Sequence, residues 1–252
     1  MDNTVKAELI EKYRNATNKL VLLDYDGTLV NYTPIPETAK ISEHLFDILI
    51  KLAGNPQTHL FIITGRGYQD IDKLLDHLPI NIIAEHGAMV KVKGLWKNQL
   101  INNILWKKTI IPILNQITLE CPESFVEEKH FSLAWHYRNA ESQSGYTYSR
   151  KLISILENII QSYNLKILDG NKVVEILAEK VGKGKAVKKL FEQNIYDFIL
   201  SIGDDATDEE MFEFFLHNTT AYTIKVGNGD TFAKYKLSGI NDVVLLLKHL
   251  TE

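Results

Sequence analysis

Residues 19–28 read Lys-Leu-Val-Leu-Leu-Asp-Tyr-Asp-Gly-Thr, an apolar run stopped by Asp24, with a second carboxylate at Asp26 and a glycine at Gly27. A strand wetted on one face alternates polar and apolar residues. An unbroken apolar run marks a strand covered on both faces, the habit of parallel sheets. Ligands of open parallel sheets bind beyond the carboxyl ends of the strands, so both carboxylates stand where chemistry is expected. Gly27 lets the chain turn sharply there. Taken alone, Asp-x-Asp-Gly-Thr could also be a surface turn.

The rhythm around this stretch repeats it. Residues 5–18 and 38–53 carry apolar side chains at helical spacing, and Gly54-Asn55-Pro56 is a turn. His59 to Thr64 is a second buried strand, 68–77 a short helix, and Asn81 to Ala84 a third strand. Strand and helix in alternation imply parallel pairing with right-handed crossovers. After His86 the pattern changes: 89–93 and 125–137 alternate like antiparallel strands, 143–162 has a helical stripe, and a strand pair at 165–177 turns at Asp169-Gly170-Asn171. Helix 183–193, strand 196–202, helix 207–217, strand 221–226 and helix 240–250 then restore the first rhythm. The predicted architecture is α/β: a doubly wound, Rossmann-like parallel-sheet core (1–87 and 179–252) interrupted by an inserted α+β domain at 88–178.

The chain has 252 residues, 45% hydrophobic and 24% charged, enough to bury a core without disulfides or a structural metal. The formal net charge of −4 supplies no field for nucleic acid or an anionic membrane. A single cysteine, Cys121, precludes an intramolecular disulfide. No apolar run reaches the roughly 18 residues of a membrane span, and 1–18 lack a signal-peptide core. A cytoplasmic protein is expected, with a monomer as the default.

Three further motifs sit at strand ends or helix starts. Thr64-Gly65-Arg66 offers a hydroxyl and backbone amides suited to an anion. Gly65 to Asp70 lacks the glycine spacing of a dinucleotide site, and 182–185 lack the upstream glycine and following Ser/Thr of a phosphate loop. Lys183 opens a helix. Gly203-Asp204-Asp205-Ala206-Thr207-Asp208-Glu209 crowds four acids into six residues after an apolar strand. Such crowding calls for a cation. Hard oxygen donors with no His or Cys favour Mg²⁺, although some of these acids also suit the next helix N-terminus.

The four motifs in this order resemble the haloacid dehalogenase superfamily of aspartate-nucleophile phosphatases. The resemblance implies that Asp24 attacks phosphorus, that Asp26 protonates the leaving oxygen and then activates water, that Thr64 binds a phosphoryl oxygen with Gly65 and Arg66 beside it, and that Lys183 balances charge. It implies Mg²⁺ held by Asp24, the carbonyl of Asp26 and Asp204, with Asp205 and Asp208 as further candidate acids. Three carboxylates against a divalent cation and a lysine make such a site close to neutral, so an anionic ester can enter. Burial and neighbouring carboxylates are expected to keep Asp26 protonated for its first task.

Within that superfamily the chain resembles the trehalose-6-phosphate phosphatases. The matching stretches are Glu85-His86-Gly87-Ala88, Val126-Glu127-Glu128-Lys129, Leu133-Ala134-Trp135-His136-Tyr137-Arg138 and Lys172-Val173-Val174-Glu175. The resemblance implies a cap that chooses a phosphorylated disaccharide. Glu127, Lys129 and Glu175 would contact the distal sugar, His136 and Arg138 would be further binding candidates, and Glu85 and His86 would lie near the core–cap connection. Asn171 stands where lysine is common, with Lys172 immediately after, so either is left to reach the sugar. The alternative for Glu127 and Lys129 is the wet face of a strand, and Trp106 and Trp135 suit packing better than sugar stacking. Some relatives also carry a trehalose-6-phosphate synthase domain, which makes a synthase a candidate partner. The alternatives are another sugar phosphatase, for sucrose phosphate or mannosyl-3-phosphoglycerate, and a non-catalytic sugar-phosphate-binding module.

Overall fold

The apolar run forms β1 (Lys19–Asp24), buried along its whole length. The structure, a computed structural model, describes residues 1–33, 35–75, 78–99, 104–192 and 194–252. The other strands are β2 (Thr58–Ile63), β3 (Asn81–Ala84), β4 (Met89–Val92), β5 (Leu95–Asn98), β6 (Phe125–Glu128), β7 (Ser132–His136), β8 (Leu165–Gly170), β9 (Val173–Ala178), β10 (Phe198–Gly203), β11 (Ala221–Val226) and β12 (Tyr235–Leu237). The helices are α1 (Asn3–Asn15), α2 (Glu43–Gly54), α3 (Tyr68–Leu74), α4 (Lys107–Glu120), α5 (Ser142–Ile160), α6 (Lys183–Glu192), α7 (Ala206–Phe214) and α8 (Ile240–Leu250). The predicted helical patterns run on to residues 77 and 193; residues 76, 77 and 193 lie outside the described ones.

The chain divides into two compact units, Met1–Gln99 with Gly182–Glu252, and Leu100–Val181. The first holds an eight-stranded sheet in the order β12-β11-β10-β1-β2-β3-β4-β5. Pairing is parallel from β12 to β3. Going outward from the centre, β1, β2 and β3 follow one another to one side and β10, β11 and β12 to the other. The order therefore reverses between β1 and β10, and the crevice at that switch point is where an α/β sheet binds ligands. On one face Leu20, Leu22, Phe61 and Ile63 pack with Ala186 and Val187 of α6 and with Met211 and Phe212 of α7.

The boundary of the insertion falls later than the 88–178 read from the sequence. Strand β4 pairs antiparallel with β3 (Ile83↔Val90, Ala84↔Met89) and β5 with β4, so residues 89–98 extend the large sheet. Alternation there signals antiparallel strands correctly but does not say which sheet they join.

The second unit is an antiparallel sheet, β6-β7-β9-β8. One face of it, Leu133, Trp135, Val174 and Ile176, packs on Ile110, Leu114 and Ile117 of α4 and on Leu152 and Leu156 of α5. Trp106 and Trp135 are buried in this core, as packing residues. The sequence reading contains no helix over 107–120. Pro112 lies inside α4 and reads as a break, yet the apolar stripe around it is fully buried and outweighs that cost. Among the described residues, no helix is long and apolar enough to cross a membrane.

Candidate active site

Register puts the motif residues on one edge. Leu23 is level with Ile202 across β1 and β10, and Asp24 is level with Ile63 across β1 and β2. Asp24 thus ends its strand beside Gly203, with Thr64 and Asp204 each one residue further out. Asp24 and Thr64 are buried, and Thr64 Oγ1 accepts a hydrogen bond from the Arg66 amide at 3.1 Å.

Lys183 reaches this edge from the first residue of α6. Its Nζ donates to Asp24 Oδ1 at 2.7 Å and to Asp208 Oδ1 at 2.8 Å, and all three side chains are buried. The glycines around it are there for packing. A methyl on Gly184 would lie 2.7 Å from the Glu210 carbonyl oxygen, so α6 and α7 approach as only a glycine permits. Glu210 Oε2 also accepts from the Gly184 amide at 3.2 Å.

Three of the four acids divide by task. Asp205 caps α7: its Oδ1 accepts from the Thr207 amide and hydroxyl and from the Asp208 amide. Burial raises its pKa, but Lys183 and the Thr207 hydrogen bonds prevail and bring it down to about 2. Asp208 is a brace. Its Oδ2 accepts from the Asp204 and Asp205 amides and its Oδ1 from Lys183. Asp204 receives the Tyr32 hydroxyl on Oδ2 at 3.0 Å.

Two buried oxygens in this group have no hydrogen-bond partner among the described residues, Asp24 Oδ2 and Asp204 Oδ1. One carboxylate oxygen from each of Asp24, Asp204 and Asp208 lies within 4.8 Å of the other two. Buried acceptors left open in an all-oxygen donor set suit a small hard cation. The electrostatics agree, because four carboxylates face one ammonium. Burial pushes Asp24 up to about 8, against Lys183 and helped by Asp205 and Asp204. Burial, with Asp205 and Asp208, pushes Asp204 up to about 7. Burial lowers the Lys183 pKa, but Asp208 and Asp24 overcome it and hold the lysine charged. Without a cation, protons compensate the surplus negative charge.

Asp26 departs from the expectation that carboxylates surround it. Arg66 donates Nε to its Oδ2 at 2.6 Å and Nη2 to its Oδ1 at 2.7 Å, while Nη1 donates to the Pro36 carbonyl at 2.8 Å. Predicted as a substrate contact, Arg66 is thus the bidentate partner of Asp26. Glu85 and His86, both buried, follow β3 with φ of 47° and 54°, a left-handed pair that costs energy in non-glycine residues. Their amides donate to the Arg66 and Thr64 carbonyls, and the His86 ring packs on Gly65. Those hydrogen bonds hold the strained pair, and with it the ring, at the Thr64-Gly65-Arg66 turn.

The second unit gathers its own polar group. Glu127 lies on β6 and Lys129 one residue past its end, residues 132, 134 and 136 share one face of β7, and Glu127↔Ala134↔Glu175 are level across three strands. Lys129 Nζ donates to Glu175 Oε1 at 2.9 Å, Ser132 Oγ to the same oxygen at 2.5 Å, and His136 Nε2 lies 2.7 Å from Glu127 Oε2. Burial raises the Glu127 pKa, but Lys129 and His136 outweigh it and leave the group below its usual range. Ser132 and Phe125, which stacks on His136 at 4.7 Å, were missed from the sequence; their parity with His136 and Glu127 is the signal that finds them. Arg138 and Lys172 sit at the β8–β9 turn, bonded to the Asn171 carbonyl and the Ser142 hydroxyl.

A doubly wound sheet whose first strand ends in a lysine-paired aspartate beside an acidic cluster is the fold of haloacid-dehalogenase-like hydrolases. A B. subtilis protein of that description superposes with a TM-score of 0.63 at 17% identity, covering 92% of this chain and 99% of that one. The narrower relationship is equally plain. The profile of the trehalose-phosphatase family matches residues 22–240, and the chain belongs to that family. The C-terminal domain of C. albicans trehalose-6-phosphate phosphatase matches with a TM-score of 0.92 and 27% identity, over 98% of this chain and 96% of that one. The chain is also 38% identical to a bifunctional trehalose-6-phosphate synthase/phosphatase of Thermoproteus tenax, over 96% of its own length and 33% of the relative's. It spans about a third of the length of such curated relatives.

Proposed function

We propose that this chain hydrolyses trehalose 6-phosphate to trehalose and phosphate in a Mg²⁺-dependent reaction through an aspartyl phosphate. The observation that carries the reading is Asp24: a buried carboxylate at the switch point, grouped with Asp204 and Asp208, with one oxygen on Lys183 and the other open. A carboxylate oxygen of Asp24 bonds to phosphorus as the bond from phosphorus to the sugar oxygen breaks, and Asp26 gives that oxygen its proton. Asp26 then takes a proton from water, whose oxygen attacks phosphorus, and the acyl phosphate bond breaks to free phosphate and restore Asp24. To reach the leaving oxygen, Asp26 gives up at least one hydrogen bond from Arg66. Lys183 stays charged and steadies Asp24 in both steps, and Thr64 holds a phosphoryl oxygen. Asp24, Asp204 and the Asp26 carbonyl would hold Mg²⁺, which supplies charge neutralisation on the transferring phosphoryl oxygens. Dividing one displacement into two lowers each barrier, and general acid help adds on the order of 10²–10⁴ in rate.

Glu127, Lys129, His136 and Glu175 are assigned to the sugar. Their acceptors and donors suit hydroxyls, and an uncharged disaccharide needs many such hydrogen bonds. Arg138 and Lys172 would be peripheral to that group. Relatives that join a synthase and a phosphatase in one chain make a synthase the natural supplier of the substrate.

Phosphate release is to be measured with trehalose 6-phosphate, sucrose 6-phosphate, mannosyl-3-phosphoglycerate and glucose 6-phosphate, in Mg²⁺ and in EDTA, for wild type and Asp24→Asn. Selective, metal-dependent release from trehalose 6-phosphate that Asp24→Asn abolishes is the expected result. Preference for another ester sinks the sugar assignment and leaves the aspartate chemistry. Release that persists in Asp24→Asn sinks both.

A further inference from the structure

Tyr32 belongs to no motif in the sequence, yet it donates to Asp204, which lies 172 residues away. The chain is folded to make that contact. After β1 it turns back tightly: the Leu29 and Val30 amides donate to the Tyr25 carbonyl, and the Gly27 amide donates to the Val30 carbonyl at 2.7 Å. Two residues past this turn Tyr32, half-buried, brings its hydroxyl to Asp204, the residue after β10. Gly27 bounds the same carboxylate. Its φ is +84°, and a methyl there would lie 2.1 Å from Asp204 Oδ2. The Asp204 carboxylate is therefore fixed by a hydroxyl on Oδ2 and by the bare backbone of Gly27, while its buried Oδ1 has no hydrogen-bond partner among the described residues.

We propose that Tyr32 is a positioning residue for the cation site: its hydroxyl holds Asp204 in the one orientation that aims Oδ1 at the ion. The inference rests on the Mg²⁺ reading above. A carboxylate on a rotatable side chain must lose torsional freedom to become a ligand, and an orienting hydrogen bond removes that freedom before the ion arrives. Groups that hold metal ligands in this way typically matter about 10–100-fold in metal affinity. Asp208 does not need such help, since three hydrogen bonds already fix it.

The test is Mn²⁺ binding to EDTA-stripped protein, followed by loss of the free-ion EPR signal, for wild type, Tyr32→Phe and Asp204→Asn. Tyr32→Phe is expected to bind about 10–100-fold more weakly than wild type, with the metal-free Tm unchanged. Its phosphatase kcat is expected to return toward wild type as Mg²⁺ is raised, because the hydroxyl acts only through the metal ligand. Wild-type affinity in Tyr32→Phe, while Asp204→Asn loses binding, overturns the proposal and leaves the metal reading standing. If wild type binds no Mn²⁺, or Asp204→Asn binds as wild type does, the metal reading itself fails. Should Tyr32→Phe lower the metal-free Tm, Tyr32→His is measured as well. Weak binding that excess metal does not rescue in either variant assigns the ring a packing role and overturns the proposal.

Discussion

Replacing Lys183 by methionine keeps most of the apolar stem and deletes the charge. In the native protein that ammonium lies 2.7 Å from Asp24 and 2.8 Å from Asp208, with the three side chains 2%, 6% and 0% exposed. Removing one partner of a buried pair costs about 3–5 kcal/mol, because the remaining charge is left without compensation. Here two carboxylates lose the same partner. Asp208 keeps its two amide donors and Asp24 can take up a proton, so the lower end of the range applies: about 3 kcal/mol, or roughly 6–12 °C in Tm for a chain of this size. The deficit has a pH signature. Asp24 is held at about 8 in the folded protein against 3.8 unfolded, so between those values the native state binds protons that the unfolded chain does not. Stability contributed by that proton is present below the unfolded value and is lost as pH rises through the folded one. Without Lys183, which holds the Asp24 value down, that loss continues to higher pH than in wild type. Thermal unfolding in EDTA at pH 6 and pH 9.5 reads this directly: Lys183→Met should be less stable at both, with the larger deficit at pH 9.5 and partial recovery in Mg²⁺. A wild-type Tm at pH 9.5, or a deficit the same at both values, would refute the counter-charge argument.

Two other outcomes follow from the same geometry. Cation binding must displace protons from Asp24, at about 8, and Asp204, at about 7, so Mg²⁺ affinity should rise from pH 6 to pH 8 with protons released. Calorimetry in buffers of different ionisation enthalpy measures that release, and a pH-independent affinity would contradict it. Gly184→Ala puts a methyl 2.7 Å from the Glu210 carbonyl and should cost about 1–3 kcal/mol while lowering kcat through displacement of Lys183. Gly54→Ala, where a methyl has open space, is the control and should stay near wild type in both.

Asp24, Thr64 and Asp204 are legible in sequence because each ends or follows a predominantly apolar strand. A run of that kind in an α/β chain names a buried strand, and its last polar residue names the ligand edge. The same logic located Lys183 only through its motif partners, and the glycines beside it carried no readable meaning until α7 was in place. Asp205 and Asp208 show the limit of local reading. Four acids in six residues announce a charged site, but one caps a helix, one braces two amides and a lysine, and the open acceptor is Asp204. Spacing alone does not separate those tasks, since each depends on which amide a carboxylate meets.

By itself the sequence determined the alternation of strands and helices, the strand-end carboxylates and the change of rhythm that marks an insertion. Those are one-dimensional properties, set by the period of burial and by local turn chemistry. The tertiary structure alone decided the sheet of the β4–β5 hairpin, the pairing of Asp26 with Arg66, the contact of Tyr32 with Asp204 and the meeting of Lys129 with Glu175. These depend on strand order and register, which bring together residues 40, 172 and 46 positions apart. No local pattern encodes such a distance. It is fixed when the chain closes its loops and the whole core packs at once.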